Sequence, residues 1–160
     1  MNTRVFLDLE GTVINNWDDL DLEWRKCRAL KRMLAEGNVR SVEIFSFAIY
    51  DDHDRQKWVD SRLGLLLSTH LEVDVTAFPL TVDEIKLNIQ RSRGLFFEDR
   101  REFIQLLGKQ EAFIQWAQSQ MSGEFLLIDD MVQDVVFENL TTKHKVACLN
   151  IDSLCEEFGA

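Results

Sequence analysis

The stretch RVFLDLEGTVIN, residues 4–15, opens as an unbroken apolar run and ends in two acids one residue apart, Asp8 and Glu10, before Gly11 and Thr12 interrupt it. Val5 to Leu9 reads as a strand buried on both faces, because such strands are continuously apolar rather than alternating. Two carboxylates leaving a strand at positions i and i+2 reach one volume from different angles. One can then attack an electrophile while the other gives or takes a proton. Crowding acids behind a buried strand is costly unless a cation or hydrogen-bond donors compensate them. The plainer alternative is an acidic turn in which Thr12 caps a helix.

Working outward, the runs Val42 to Phe47, Phe125 to Ile128 and Lys145 to Leu149 have the same character and read as further strands. Between the first two, Leu20, Trp24, Cys27, Leu30 and Leu34 recur at three- and four-residue spacing up to Gly37, which predicts an amphipathic helix. Helices are also expected over 54–67, 81–91, 101–120 with a break at Gly108, 132–140 and 151–158, with a short extended piece in VDVTAFPL (73–80). Trp24 and Trp116 fall on apolar helix faces and are expected in the core. Alternating strands and helices with nearly uninterrupted apolar strands predict a three-layer α/β domain around a mainly parallel sheet. Ligands of such sheets bind at the carboxyl ends of the strands. Asp8, Glu10, Ser46, Asp129 and Asp130 all fall at such ends.

The chain of 160 residues has no Pro/Gly/Ser-rich linker, so residues 1–160 read as one domain. Eleven Phe and four Trp supply a core that a disordered chain lacks. A formal net charge of -10 disfavours passive adhesion to nucleic acid or anionic membrane. No apolar run approaches the roughly 20 residues of a membrane span, and no secretory leader pattern opens the sequence. Cys27, Cys148 and Cys155 are odd in number and lack CxxC spacing, which fits reduced thiols. A cytoplasmic protein is expected; the sequence says nothing about its oligomeric state.

The second acidic stretch, EFLLIDDMVQD (124–134), ends a strand in Asp129 and Asp130, with Asp134 expected one helical turn on. Hard oxygen ligands from two loops suit Mg²⁺, which takes one or two carboxylates and completes its shell with water and phosphate. The alternative makes Asp129 or Asp130 the N-cap of a helix starting near Val132. Together, VFLDLEGTVI and FLLIDD resemble the first and fourth motifs of the haloacid dehalogenase superfamily, whose members have a Rossmann-like core. Ser46 in VEIFSFAI matches the second motif. Lys109 in LGKQEAFIQWAQ matches the third, with Lys57 and Lys86 as rivals.

That resemblance implies a phosphomonoester hydrolase. Asp8 would be the nucleophile and Glu10 the general acid and base. Ser46 and Lys109 would hold the phosphoryl oxygens, and Thr12 would orient the turn. Mg²⁺ would be held by Asp8, by the carbonyl of Glu10, and by Asp130 or Asp129. Glu10 stands where the commonest pattern has Asp, as in the enolase-phosphatase branch of the superfamily.

One helix fills the interval between Asp8 and Ser46, so no large cap domain fits there. The 50–108 region leaves room for a small helical cover. An open cleft is expected to take a phosphorylated small molecule or a nucleic-acid end. In YDDHD (50–54), a solvated loop with Asp54 capping the next helix is favoured over metal contact. RSRGLFFEDRR (91–101) reads as ordinary surface rather than a phosphate grip, and His70 and His144, each isolated, are given no ligand role. The competing functional class is a catalytically inactive protein that keeps this fold for binding or regulation.

Overall fold

A computed structural model describes residues 3–159. Six strands form one sheet in the order β3-β2-β1-β4-β6-β5, with β1 Thr3–Leu7, β2 Ser41–Ile44, β3 Asp74–Val75, β4 Gly123–Asp129, β5 Val135–Asn139 and β6 His144–Asn150. All neighbouring pairs are parallel except β5 with β6. The helices are α1 Trp24–Glu36, α2 Asp52–Ser61, α3 Leu63–Leu71, α4 Val82–Arg93, α5 Arg100–Leu107, α6 Lys109–Ser119 and α7 Ile151–Phe158.

Alternation along β1 builds the three layers. Val5 and Leu7 join a core with Leu30 and Leu34 of α1, Leu67 of α3 and Leu154 of α7. Phe6 points the other way, into a core with Ile85 and Ile89 of α4, Phe103 of α5, and Phe113 and Trp116 of α6. The Phe6 ring meets those of Phe113 and Trp116 edge-on, each with centroids 5.3 Å apart, the favoured geometry for aromatic pairs. From β1 the sheet extends through β2 and β3 on one side and through β4, β6 and β5 on the other. The strand order therefore reverses between β1 and β4, and a crevice opens at that point beyond their carboxyl ends.

Four expectations change, the last of them at the cap of α2. The helix expected over 132–140 is instead strand β5, which returns antiparallel along β6 with Val135 opposite Cys148 and Asn139 opposite His144. Val135, Val136 and Phe137 are β-branched or aromatic and favour the strand. Asn139 Oδ1 then accepts from Thr141 N and Thr142 N to start the turn. The helix expected over 54–67 is two helices, α2 and α3, divided at Arg62 with φ 57°. Trp24 is 55% exposed at the start of α1, edge-on to His70, while Trp116 is buried as expected.

The 50–108 region is built into both helical layers and, through β3, into the sheet. Asp51, not Asp54, caps α2; Asp54 instead accepts from Tyr50 N. Arg100 of RSRGLFFEDRR forms a bidentate pair with Asp83 at 2.8 and 2.9 Å. Among the described residues, no helix is long and apolar enough to cross a membrane.

Candidate functional site

Beyond β1 the chain stays in the sheet for one more residue, Asp8 N donating to Ile128 O at 3.0 Å, and then turns sharply. Leu9 O accepts from the amides of Thr12, Val13 and Ile14, and Gly11 takes the left-handed conformation at φ 74°. Lys26 of α1 ties this turn down by donating to Gly11 O at 2.6 Å. The fold thereby pulls Asp8 inside, 4% exposed, and leaves Glu10 outside at the mouth. Thr12, fully buried, donates to Asp8 Oδ2 at 3.2 Å. It orients the carboxylate and caps no helix.

The first residue of α6 supplies the compensating cation. Lys109 Nζ donates to Asp8 Oδ1 and lies 2.5 Å from Asp129 Oδ2. Gly108, at φ 76°, makes the break that lets α6 start there. The rival lysines are elsewhere: Lys57 donates to Trp17 O and sits over that indole, and Lys86 lies within α4. Ser46, 1% exposed, follows β2 and borders the same cleft, its Oγ accepting from Ala48 N. Glu10 also lines the cleft, with Oε1 accepting from Trp17 N at 3.1 Å.

From β4 come two carboxylates with different surroundings. Asp129 is fully buried; Oδ1 accepts from Met131 N, while Oδ2 faces the Lys109 ammonium without a well-angled hydrogen-bond donor. Asp130 is half-buried and leans over Gly11, so closely that a Cβ there would overlap its Oδ2 and stand 2.7 Å from Cγ. No helix follows, so neither is an N-cap. Asp134 does not join them; its Oδ1 accepts from Asn150 N at 2.7 Å.

One oxygen from each of Asp8, Asp129 and Asp130 lies within 4.8 Å of the others. Burial pushes the Asp8 carboxyl up to about 7, against the pull of Lys109 and with the help of Asp129. Burial also raises Asp130, reinforced by its hydrogen bond and charge interaction with Asp129. For Lys109, burial alone would lower the pKa, but Asp8 and Asp129 outweigh it and hold the ammonium above its ordinary value. Three acids facing one ammonium leave an excess of negative charge. A hard divalent cation fits that donor set. Asp130 is the freest ligand of the three, because Asp8 is engaged by Lys109 and Thr12, and Asp129 by Lys109 and Met131 N.

Three supporting residues had no motif to announce them. Asn150 Nδ2 donates to the carbonyls of Asp130 and Val132, at 3.2 and 2.8 Å, and so holds the loop that carries Asp130. Gln110 exchanges two hydrogen bonds with the Gln133 backbone, fastening the same loop to α6. Lys26 is the third.

The whole assembly opens into a cleft of about 940 Å³. No family model, characterised protein or solved structure matches this chain.

Proposed function

We propose that the chain is a Mg²⁺-dependent phosphomonoester hydrolase of the haloacid dehalogenase type. The supporting observation is the placement of Lys109 between Asp8 and Asp129 at the strand-order reversal, with Asp130 and Ser46 bordering the same cleft. Asp8, Asp130 and the Glu10 carbonyl would hold the metal, which supplies positive charge against the transferring phosphoryl group.

The chain's own groups account for the remaining steps. Thr12 and Lys109 each engage one oxygen of Asp8 and so fix the plane of its carboxylate. Asp8 attacks phosphorus, and the bond to the ester oxygen breaks as the Asp8–phosphate bond forms. The leaving oxygen takes the proton of Glu10. The Glu10 carboxylate then removes a proton from water, which attacks the same phosphorus and releases phosphate and Asp8. The Ser46 hydroxyl and the Lys109 ammonium hold the phosphoryl oxygens, offsetting the repulsion between two anions.

A second reading draws on Glu10. Its carboxylate is turned to Trp17 N in its own loop, as a protein that keeps the site only to bind a ligand would allow. Phosphate release from a panel of phosphomonoesters, with Mg²⁺ or EDTA and with wild type against Asp8→Asn, decides between the two. Release that needs both Mg²⁺ and Asp8 is expected. A folded wild type that releases no more than Asp8→Asn overturns the hydrolase and leaves the binding protein.

A further inference from the structure

Outside the reaction centre the cleft wall is apolar and acidic, and this limits what the phosphate can be attached to. Phe47 and Tyr50 from the segment after β2, Ile104 and Leu107 from α5, and Met131 and Val135 from the segment after β4 face the space. Met131, next to Asp130, is 81% exposed, and Tyr50 is 39% exposed. Phe47, Ile104 and Leu107 are backed by the core, whereas Met131 and Val135 leave apolar surface open at the mouth.

The charged lining residues are Asp8, Glu10, Glu111, Asp129 and Asp130 against a single cation, Lys109, among the described residues. Lys109 is already paired with Asp8 and Asp129. Arg100 stacks on Tyr50 at 4.8 Å, but its charge is neutralised by Asp83 and by Asp51 at 3.5 Å. One phosphate at the reaction centre would be compensated by Lys109 together with the Mg²⁺ of the proposed reaction. A second anionic group on the same substrate would meet Glu10 or Glu111 and an apolar wall, with no cation to pair with.

Resting on the hydrolase reading above, we infer that the cleft takes a monophosphate ester of an apolar alcohol or phenol, whose phosphate is its only anionic group. Bisphosphates and phosphorylated nucleic-acid ends are rejected. The apolar body lies against Met131, Val135 and Leu107, where its burial adds affinity, while a polyanion is repelled by the acids at the mouth. The ester can be a small molecule or a phosphotyrosyl side chain, since both present one phosphate on an apolar group.

The test is kcat/KM for phosphate release by the full chain with Mg²⁺. The substrates are benzyl phosphate, a phosphotyrosyl peptide with apolar flanks, fructose 1,6-bisphosphate, thymidine 3′,5′-bisphosphate and a 3′-phosphorylated oligonucleotide. Benzyl phosphate and the bisphosphates all have alcohol leaving groups, so leaving-group reactivity does not decide their ranking; the peptide's phenol is more reactive, and its rate is weighed against a phosphotyrosyl peptide with acidic flanks.

Benzyl phosphate or the peptide should exceed every polyanion by at least about tenfold. Whichever of those two is faster identifies a small-molecule or a protein source, and either supports the inference. A bisphosphate or the oligonucleotide turned over as fast or faster overturns it while the hydrolase reading stands. No Asp8-dependent release from any substrate sinks both. Glu111→Lys and Met131→Lys, two exposed positions at the mouth, should each narrow the gap by about threefold or more through an added cation. An unchanged ratio in both variants counts against the inference.

Discussion

Oδ2 of Asp130 occupies the space that a Cβ on Gly11 would need. Residue 11 also has φ 74°, so its identity is fixed twice, by backbone conformation and by the approach of a carboxylate from a different strand. Gly11→Ala should cost about 1–2 kcal/mol in stability and also push Asp130 aside. Mg²⁺ titrations followed by thermal shift should show weaker binding than wild type. Destabilisation with unchanged Mg²⁺ affinity would mean that Asp130 is not a ligand.

Lys109 compensates two buried acids, so removing its charge exposes both. Lys109→Met is expected to destabilise the metal-free protein by about 3–5 kcal/mol, as breaking a buried ion pair by deleting one partner does. Mg²⁺ should restore part of that loss, since it supplies the missing charge. Denaturant midpoints with Mg²⁺ and with EDTA measure both effects. Equal losses in the two conditions would separate the lysine from the metal site.

Asp8 makes the metal-free protein sensitive to pH in a particular direction. The folded state holds a proton on Asp8 up to about 7, whereas the unfolded chain releases it near the ordinary carboxylate value of 3.8. Between those values the folded state binds more protons, so stability falls as pH rises and levels off above the upper one. A loss on the order of 4 kcal/mol is expected across that window in EDTA. Asp8→Asn should lack this loss, and should match or exceed wild-type stability at pH 8. Thermal unfolding of both proteins from pH 4 to 8 checks the sign.

Asn150 does two jobs that one substitution can separate. Its Oδ1 accepts from Asp152 N and caps α7, while its Nδ2 holds the loop carrying Asp130. Asn150→Asp keeps the cap and loses the donor, so the metal-induced thermal shift should shrink while α7 stays formed. Asn150→Ala should lose both, at a further cost of about 1 kcal/mol in stability for the missing cap. Circular dichroism beside Mg²⁺ titration distinguishes them.

The parallel part of the sheet and its reversal point were legible because those strands are buried on both faces and must be continuously apolar. The acids that end them stand out for the same reason. β5 was misread because Val132, Val135 and Val136 also fit a helical stripe. Only cross-strand pairing with β6, from Val135 opposite Cys148 to Asn139 opposite His144, decides between the two. Asp8, Ser46 and the Asp129–Asp130 pair could be placed from their positions at strand ends, whereas Lys109 stood out from Lys57 and Lys86 only through the resemblance. Asn150 and Gln110 could not be placed, because each acts on backbone brought near by the fold, and an amide side chain carries no sign of its target. Trp24 shows the limit of periodicity: it lies on the apolar stripe, but it is the first residue of α1, where the layer has already ended.

The antiparallel return of β5 has an electrostatic consequence. A helix in that place would have aimed its amino end, and the partial positive charge found there, at Asp129 and Asp130. Instead, residues 108–111, the first turn of α6 and its preceding glycine, line the cleft, and no side chain caps the amides of that turn. The positive pole thus enters from the helical layer on one side, and the carboxylates form the negative pole at the strand ends. Glu111 in the same turn offsets part of that positive end, so the field favouring a phosphate is confined to the depth of the cleft, where Lys109 and the amides of α6 face the strand ends.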